Sequence, residues 1–150
     1  MTDEPYRGLL PSPDDDSGPF WEGCAAGELR VQRCATCGHT RMPPRPMCPW
    51  CRALDARWEP TSGLGRIWSW AVPHPPLLPF YAEQAPYNVV VVELEADPSI
   101  RFVGNVVTAP GDRLDAVDPA TITIGAPVEV CFAPQVDGIA LPRWRLRDAG

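Results

Sequence analysis

The chain has 150 residues, a net charge of −6, 20 prolines and 12 glycines. This length allows one substantial core, or a small metal-stapled module followed by one compact barrel or sandwich. The acidic start, residues 1–17, lacks the apolar core of a signal peptide, and the longest later apolar run, 89–92, is too short to cross a bilayer. The sequence therefore predicts a cytosolic protein, and its prolines and glycines favour a mainly β fold.

The first predicted elements are a flexible acidic tail over 1–18 and a short helix that begins near Pro19 and ends before Gly27. Alternation of apolar and polar side chains over 29–33 predicts a strand that leads into a cysteine pair. The following prolines require an extended segment before a second pair. We assign residues 19–58 to the short helix and a zinc ribbon, and 59–147 to a second domain.

Cys34, Cys37, Cys48 and Cys51 have the spacing of one tetrahedral metal site. Two residues inside each pair let a tight knuckle direct both thiolates at one ion, as in zinc ribbons. Because four protein ligands leave no open coordination position, we predict a structural Zn²⁺ whose binding stabilises the fold.

Other states of these cysteines stay open at this point. Two disulfides or buried thiol pairs are the alternative in a chain without a secretory signal. Iron is a closer rival, because Cys-Pro-x-Cys also occurs in rubredoxin-like electron carriers, but there a glycine usually follows each pair and here Arg52 follows the second. Cys24 and Cys131 lie outside the cluster and are predicted to be buried free thiols.

Five short strands are predicted after the ribbon, which fits an OB-type barrel, with an open sandwich as the alternative. The third strand contains Gly104, which is typical of a bulge or a barrel corner. The predicted fold is thus a rubredoxin-like zinc ribbon followed by a five-stranded OB-fold barrel. The predicted strands are 66–72, 87–94, 100–107, 128–132 and 139–144.

The loop between the first two barrel strands presents apolar side chains on a proline-stiffened frame. Together with an aromatic pair in the N-terminal helix it predicts a partner-binding face, with a lid folded on the barrel as the alternative. His74 in this loop has no carboxylate near it in sequence, which favours a structural or surface role over catalysis. The candidate partner-binding residues are Phe20, Trp21, Leu77, Leu78, Phe80 and Tyr81.

Charge is distributed unevenly along the chain. Residues 24–58 carry six arginines and two acidic residues, whereas 59–150 carry six arginines and eleven acidic residues. The acidic barrel disfavours single-stranded nucleic-acid binding, the alternative function of an OB fold rich in tryptophan. The basic ribbon is suited to a small phosphorylated ligand, or is simply a solvated polar surface.

Taken together, the motifs resemble the family of small acyl-CoA-associated proteins in which a zinc ribbon precedes an OB fold. The resemblance extends from about residue 19 to 147 and is more specific in the ribbon half. The motifs are Phe20-Trp21, Gly27-Glu28-Leu29, Gln32-Arg33-Cys34-x-x-Cys37-Gly38, Pro43-Pro44-Arg45, Cys48-Pro49-x-Cys51, Trp58, Ser62-Gly63-x-Gly65, Pro86-Tyr87 and Ile124-Gly125-x-x-Val128.

The resemblance implies a noncatalytic accessory subunit of a thiolase-fold enzyme that acts on acyl-CoA thioesters. Such a partner is a carbon–carbon lyase, for example a steroid side-chain aldolase, or an acyltransferase of lipid or steroid breakdown. A MaoC-like enoyl-CoA hydratase is the alternative partner. No catalytic residue is implied for this chain. If coenzyme A contacts it, charge-assisted bonds to the phosphates are expected from the ribbon. The candidate residues are Arg33, Arg41, Arg45 and Arg52.

Overall fold

The computed structural model describes residues 8–148, which form two successive β-sheets, one of three strands and one of five. No helix in this part of the chain is long and apolar enough to span a membrane. Helix α1 covers Gly18–Ala25 and α2 covers Pro79–Ala82. The strands are β1 (Arg30–Cys34), β2 (Thr40–Arg41), β3 (Ala56–Pro60), β4 (Leu64–Ala71), β5 (Val89–Leu94), β6 (Arg101–Gly104), β7 (Pro127–Phe132) and β8 (Pro142–Leu146).

The ribbon sheet is built around β1, which pairs antiparallel with β2 on one side and β3 on the other. Because Cys34 is the last residue of β1, the sheet delivers the first ligand pair to the knuckle. Strand β3 remains paired with β1 as far as Pro60, opposite Arg30. The ribbon sheet therefore continues past the predicted domain boundary at residue 58, and the chain turns into the barrel after Pro60.

The five-stranded sheet has the order β6-β5-β4-β7-β8, with antiparallel neighbours throughout. Its two ends meet through a parallel bridge between Val106 and Trp144, where the Val107 amide donates to the Trp144 carbonyl at 2.8 Å. This closure confirms the predicted five-stranded OB fold.

Strand β6 ends at Gly104, earlier than the predicted strand over 100–107, because the chain leaves β5 there to reach β8. Asn88 takes over the lost pairing. Its fully buried side chain donates to the Val106 carbonyl at 2.9 Å and accepts from the Val106 amide at 2.6 Å. The amide side chain thus satisfies backbone groups that would otherwise be buried without partners.

One hydrophobic core runs through the ribbon and the barrel. Phe20 of α1 stacks on Phe102 of β6, with ring centroids 6.1 Å apart and planes 17° apart. Leu29 and Val31 extend the same core from the ribbon side. This placement corrects the prediction that Phe20 offers an exposed surface to a partner, because its side chain is only 8% exposed and is part of the core.

A polar contact joins the two sheets at the surface. The Thr40 hydroxyl of β2 donates to Asp97, in the turn between β5 and β6, at 2.5 Å, and the hydroxyl and amide of Ser99 donate to the same carboxylate. The hydrogen bonds from Ser99 and then from Thr40 lower the pKa of Asp97. The ionised carboxylate therefore links the barrel to the ribbon.

Gly65→Ala is expected to destabilise the protein by about 1–3 kcal/mol, because an added methyl group would overpack the barrel. The new Cβ would lie 2.5 Å from Val92 Cγ1 and 2.7 Å from the Glu93 carbonyl oxygen, which is backbone and cannot move aside easily. Gly18→Ala is the matched control, since nothing lies within 4 Å of its Cβ position. Chemical denaturation measures both. Equal stability of the two variants would contradict the packing described for β4 and β5.

Asp97→Asn is expected to lower the free energy of unfolding by about 1 kcal/mol at pH 7, since it weakens hydrogen bonds to an ionised, largely solvated carboxylate. A lowered native pKa contributes stability above the ordinary value of 3.8, and this contribution is lost as the pH falls through the native value. The difference in Tm between wild type and variant should therefore shrink in acid. Glu22→Gln, which alters an exposed carboxylate, is the control, and a pH-independent difference would contradict the prediction.

Candidate metal centre and surface sites

The four predicted ligands converge at the tip of the ribbon. Their Sγ atoms all lie within 4.8 Å of one another, with 3.6 Å between Cys34 and Cys51 and between Cys37 and Cys48. Tetrahedral coordination at a Zn–S distance of about 2.3 Å would separate the sulfur atoms by about 3.8 Å. All six cysteines are free of disulfide bonds. The geometry therefore fits a four-thiolate metal site and excludes the two-disulfide alternative.

Each knuckle is closed by a backbone hydrogen bond after its second cysteine. The Gly38 amide donates to the Cys34 carbonyl at 3.0 Å, and the Arg52 amide donates to the Cys48 carbonyl at 2.9 Å. Both donors are left-handed, with φ of 79° at Gly38 and 65° at Arg52. Glycine adopts this conformation without steric cost, whereas arginine does not. The first knuckle thus agrees with the sequence, and the second keeps the same turn despite its arginine.

The thiols differ in acidity. The hydrogen bond from the Cys37 amide is the main cause that lowers the pKa of the Cys34 thiol to about 6. A backbone hydrogen bond from His39 favours the Cys37 thiolate, yet burial and the thiols of Cys48 and Cys51 raise the pKa of Cys37 to about 12. Four adjacent thiols cannot all ionise to thiolates without a cation between them. A divalent metal ion supplies that charge, and thiolate is the ligand form.

His39 is a neighbour of the cluster that the sequence analysis did not identify. Its Nδ1 lies 3.3 Å from the Cys37 Sγ, and its ring stacks on Trp50 with centroids 4.5 Å apart and planes 9° apart. Histidine from the first knuckle and tryptophan from the second thus join the two knuckles across the cluster. In the sequence, the position of His39 directly after the first knuckle was the one feature that placed it near the cluster.

The four arginines proposed for coenzyme A phosphates have different environments. Arg33 donates from Nε to Glu59 at 2.8 Å and from Nη1 to the Gly38 carbonyl at 2.7 Å, so its hydrogen bonds are largely used within the ribbon. Arg41 is only 4% exposed. Arg45 and Arg52 are exposed and make no ion pair with any residue in 8–148. The structure therefore leaves Arg45 and Arg52 accessible to a ligand.

The residues proposed to bind a partner fall into two separate groups. Trp21 is half-buried and packs edge-to-face on Phe20, with ring centroids 4.9 Å apart. Leu78 is 55% exposed and precedes α2, the short helix that forms where an irregular loop was expected. The Tyr81 hydroxyl accepts a hydrogen bond from the Leu9 amide at 3.0 Å, so this second group contacts the N-terminal segment.

An open groove of about 1040 Å³ lies beside α2. Buried Gln84 fixes one wall, because it accepts from the Leu114 amide at 2.8 Å and donates to the Phe80 carbonyl at 3.2 Å. Most of the lining side chains are apolar, and the charged ones include Glu83 and Asp112 as well as two arginines. The lining includes Leu9, Leu10, Leu78, Phe80, Leu114, Ile139, Leu141, Arg113 and Arg143.

The remaining candidates agree with their sequence interpretation. Burial, the main cause in both cases, raises the pKa of Cys24 to about 12 and also raises the pKa of Cys131, so both thiols stay protonated. Both are buried as predicted. His74 is exposed on the loop before α2.

Two family models match this arrangement. The rubredoxin-like zinc ribbon domain of ChsH2 matches residues 21–55, and the C-terminal OB-fold domain of ChsH2 matches residues 58–133. The chain belongs to the ChsH2 family. The resemblance seen in the sequence is thereby confirmed, and the two matched ranges meet close to the passage from β3 into the barrel.

Several proteins are similar to this ChsH2-family chain. The 3-oxo-4,17-pregnadiene-20-carboxyl-CoA hydratase alpha subunit of Mycobacterium tuberculosis is 32% identical over 95% of the chain, and the probable enoyl-CoA hydratase alpha subunit of Thermomonospora curvata is 32% identical over 97%. The chain spans only 40% and 42% of the length of these two relatives. A DUF35 domain-containing scaffold protein of Methanothermobacter thermautotrophicus is 37% identical over 69% of the chain and 71% of its own length.

The structural matches agree with the sequence matches. A chain of the Ltp2-ChsH2(DUF35) aldolase is 32% identical and has a TM-score of 0.77, over 91% of this chain and 98% of that one. A DUF35-family protein of Sulfolobus solfataricus has a TM-score of 0.57 at 12% identity, covers 86% of this chain and 83% of that one, and shows the fold alone.

Cys48→Ser is expected to reduce bound metal from about one ion per chain to a small fraction and to lower Tm, because it removes one of four thiolate ligands. Cys131→Ser is the matched control, since Cys131 lies outside the cluster. Elemental analysis and thermal denaturation measure the two effects. Full stability of Cys48→Ser in the presence of a chelator would contradict a structural metal.

Proposed function

We propose that this ChsH2-family chain is a noncatalytic accessory subunit that binds a thiolase-fold enzyme acting on acyl-CoA thioesters. The match to the Ltp2-ChsH2(DUF35) aldolase carries this proposal, because it includes both the ribbon and the barrel. The partner would be a carbon–carbon lyase or an acyltransferase of lipid or steroid side-chain breakdown. A MaoC-like hydratase is the second candidate partner, favoured by the hydratase alpha-subunit names of two relatives.

A structural zinc ion is part of the proposal. The sulfur geometry and the zinc-ribbon family model support it. The four cysteines would hold the ion and leave it no position for water or substrate, so its contribution is to folding. Stoichiometric iron with a visible absorption spectrum would instead indicate a rubredoxin-like electron carrier. Free thiols are also the usual state of cysteine in the cytosol, where we place the protein.

We place the partner-binding face at α2 and the groove beside it. Leu78 is more than half exposed there, and Gln84 holds α2 against the loop that contains Leu114. A partly exposed apolar surface on a fixed segment loses little conformational entropy when it is covered. Phe20 is excluded from this face because it is part of the core.

Single-stranded nucleic-acid binding is less well supported than the accessory role. Trp68 is 47% exposed on the barrel, but the Arg101 guanidinium lies 3.8 Å from its ring centroid and covers one ring face. Residues 59–150 also carry a net charge of −5, which opposes a phosphate backbone.

Leu78→Glu is expected to weaken partner binding by about 30-fold or more, because a charge would be buried at the centre of an apolar contact. The experiment coexpresses the chain with each thiolase-like and MaoC-like protein encoded near it and measures complexes by light scattering after size exclusion. Leu146→Glu is the matched control, since Leu146 is 45% exposed at the other end of β8 from the groove. Metal content and Tm should stay unchanged in both variants.

Two results would contradict the proposal. Failure of the wild-type chain to form a complex with any of these enzymes would contradict the accessory function. Equal binding by wild type and Leu78→Glu would contradict only the assignment of the docking face to α2.

A further inference from the structure

Two buried polar side chains of the ribbon sheet hold the backbone of Arg45. Gln32 on β1 and Arg41 on β2 are paired in register and are only 5% and 4% exposed. The Gln32 side-chain carbonyl accepts from the Arg45 amide at 2.9 Å, and Arg41 Nη2 donates to the Arg45 carbonyl at 2.9 Å. Both main-chain polar groups of one exposed residue are therefore held by adjacent side chains of two paired strands.

Proline stiffens the chain on both sides of this residue. Pro44 precedes Arg45 and Pro46 follows it, and each proline fixes its own φ. With its amide and carbonyl both bonded, Arg45 has little backbone freedom left to lose when its side chain binds a ligand. The exposed guanidinium thus extends from a backbone segment whose conformation is already fixed before a ligand binds.

Burial of the Arg41 guanidinium lowers the stability of the ribbon. Its Nε and Nη1 are buried without a hydrogen-bond partner, and it makes no ion pair with any described residue. A buried cation without a counterion is destabilising, and apolar residues at the paired positions would avoid that cost. An anion bound nearby would be stabilised by the uncompensated charge of Arg41.

The ribbon arginines divide into paired and unpaired groups. Three of them have carboxylate partners within the ribbon region, namely Arg30 with Glu28, and Arg33 and Arg57 with Glu59. Of the unpaired group, Arg41 is enclosed, and Arg52 is exposed and directly follows the ligand Cys51. This leaves Arg45 as the exposed ribbon arginine of the described chain that has neither an ion pair nor a position beside a ligand cysteine.

We infer that Arg45 is a preset anchor for an oxyanion and that Gln32 and Arg41 are its positioning residues. A guanidinium binds phosphate and carboxylate oxygens through paired hydrogen bonds, so both share the required chemistry. The inference rests on the proposed function, which supplies two sources of that group. One is a phosphate of coenzyme A, and the other is a carboxylate on the partner enzyme.

Titration calorimetry of the metal-loaded chain with coenzyme A and with dephospho-coenzyme A tests the phosphate source. Affinity of the purified complex for its partner, measured without nucleotide, tests the carboxylate source. In one of these two assays Arg45→Ala is expected to weaken binding about tenfold. Arg57→Ala, an exposed arginine of the same sheet, is the matched control and should have little effect.

The positioning residues are tested by variants that separate binding from stability. Gln32→Leu should weaken binding as much as Arg45→Ala, and the double variant should be no weaker than either single variant. Arg41→Met should weaken binding while Tm stays equal or rises, because it removes a buried unpaired charge. A merely structural role would lower Tm and metal content without this coupling.

The outcomes distinguish the anchor from the accessory function. Loss of coenzyme A affinity in the isolated chain would support a phosphate ligand even if no enzyme partner were found, and loss of partner affinity alone would support a carboxylate. No change in either assay for Arg45→Ala would overturn the anchor. An effect of Gln32→Leu that persists undiminished in the Arg45→Ala background would overturn the positioning role.

Discussion

The stacking of Phe20 on Phe102 is the contact on which the relation between the two sheets depends. A three-stranded ribbon of this size has too little apolar surface to form a core by itself. Phe20 of α1, with Leu29 and Val31 of the ribbon, extends the barrel core to the ribbon sheet. Both sheets therefore bury their apolar faces in one core. The metal cluster then has to order only the tip of the ribbon, beyond the reach of that core.

This division of the core determines which surfaces remain for binding. The aromatic side chain at the start of α1 is used internally, and the outer barrel tryptophan is covered on one face by Arg101. Among the surfaces that remain accessible are the groove beside α2 and the exposed side chain of Arg45. In the proposed accessory role, two such surfaces would allow the chain to contact a protein and an oxyanion at the same time.

The cysteine cluster, the mainly β fold and the five barrel strands were predictable because each depends on local spacing or alternation. The burial of Gln32 was not predictable. A polar residue in an alternating strand is expected to face solvent, and only the structure shows that β2 and the proline-rich segment around Arg45 lie against it. Phe20 was misassigned for a related reason, because an aromatic pair in a short helix looks the same whether it meets a partner or its own barrel. Asn88 gave no local signal, as its role arises only where β6 leaves β5.

The common core also has a thermodynamic consequence for the cell. A metal ion that binds only the folded chain raises the folded population by mass action. Because α1 and the ribbon strands contribute to the same core as the barrel, that gain is not confined to the knuckles. In the proposed accessory role, the concentration of chain able to join an enzyme would then follow metal supply, and scarcity of the ion would limit assembly without any change in the synthesis of either protein.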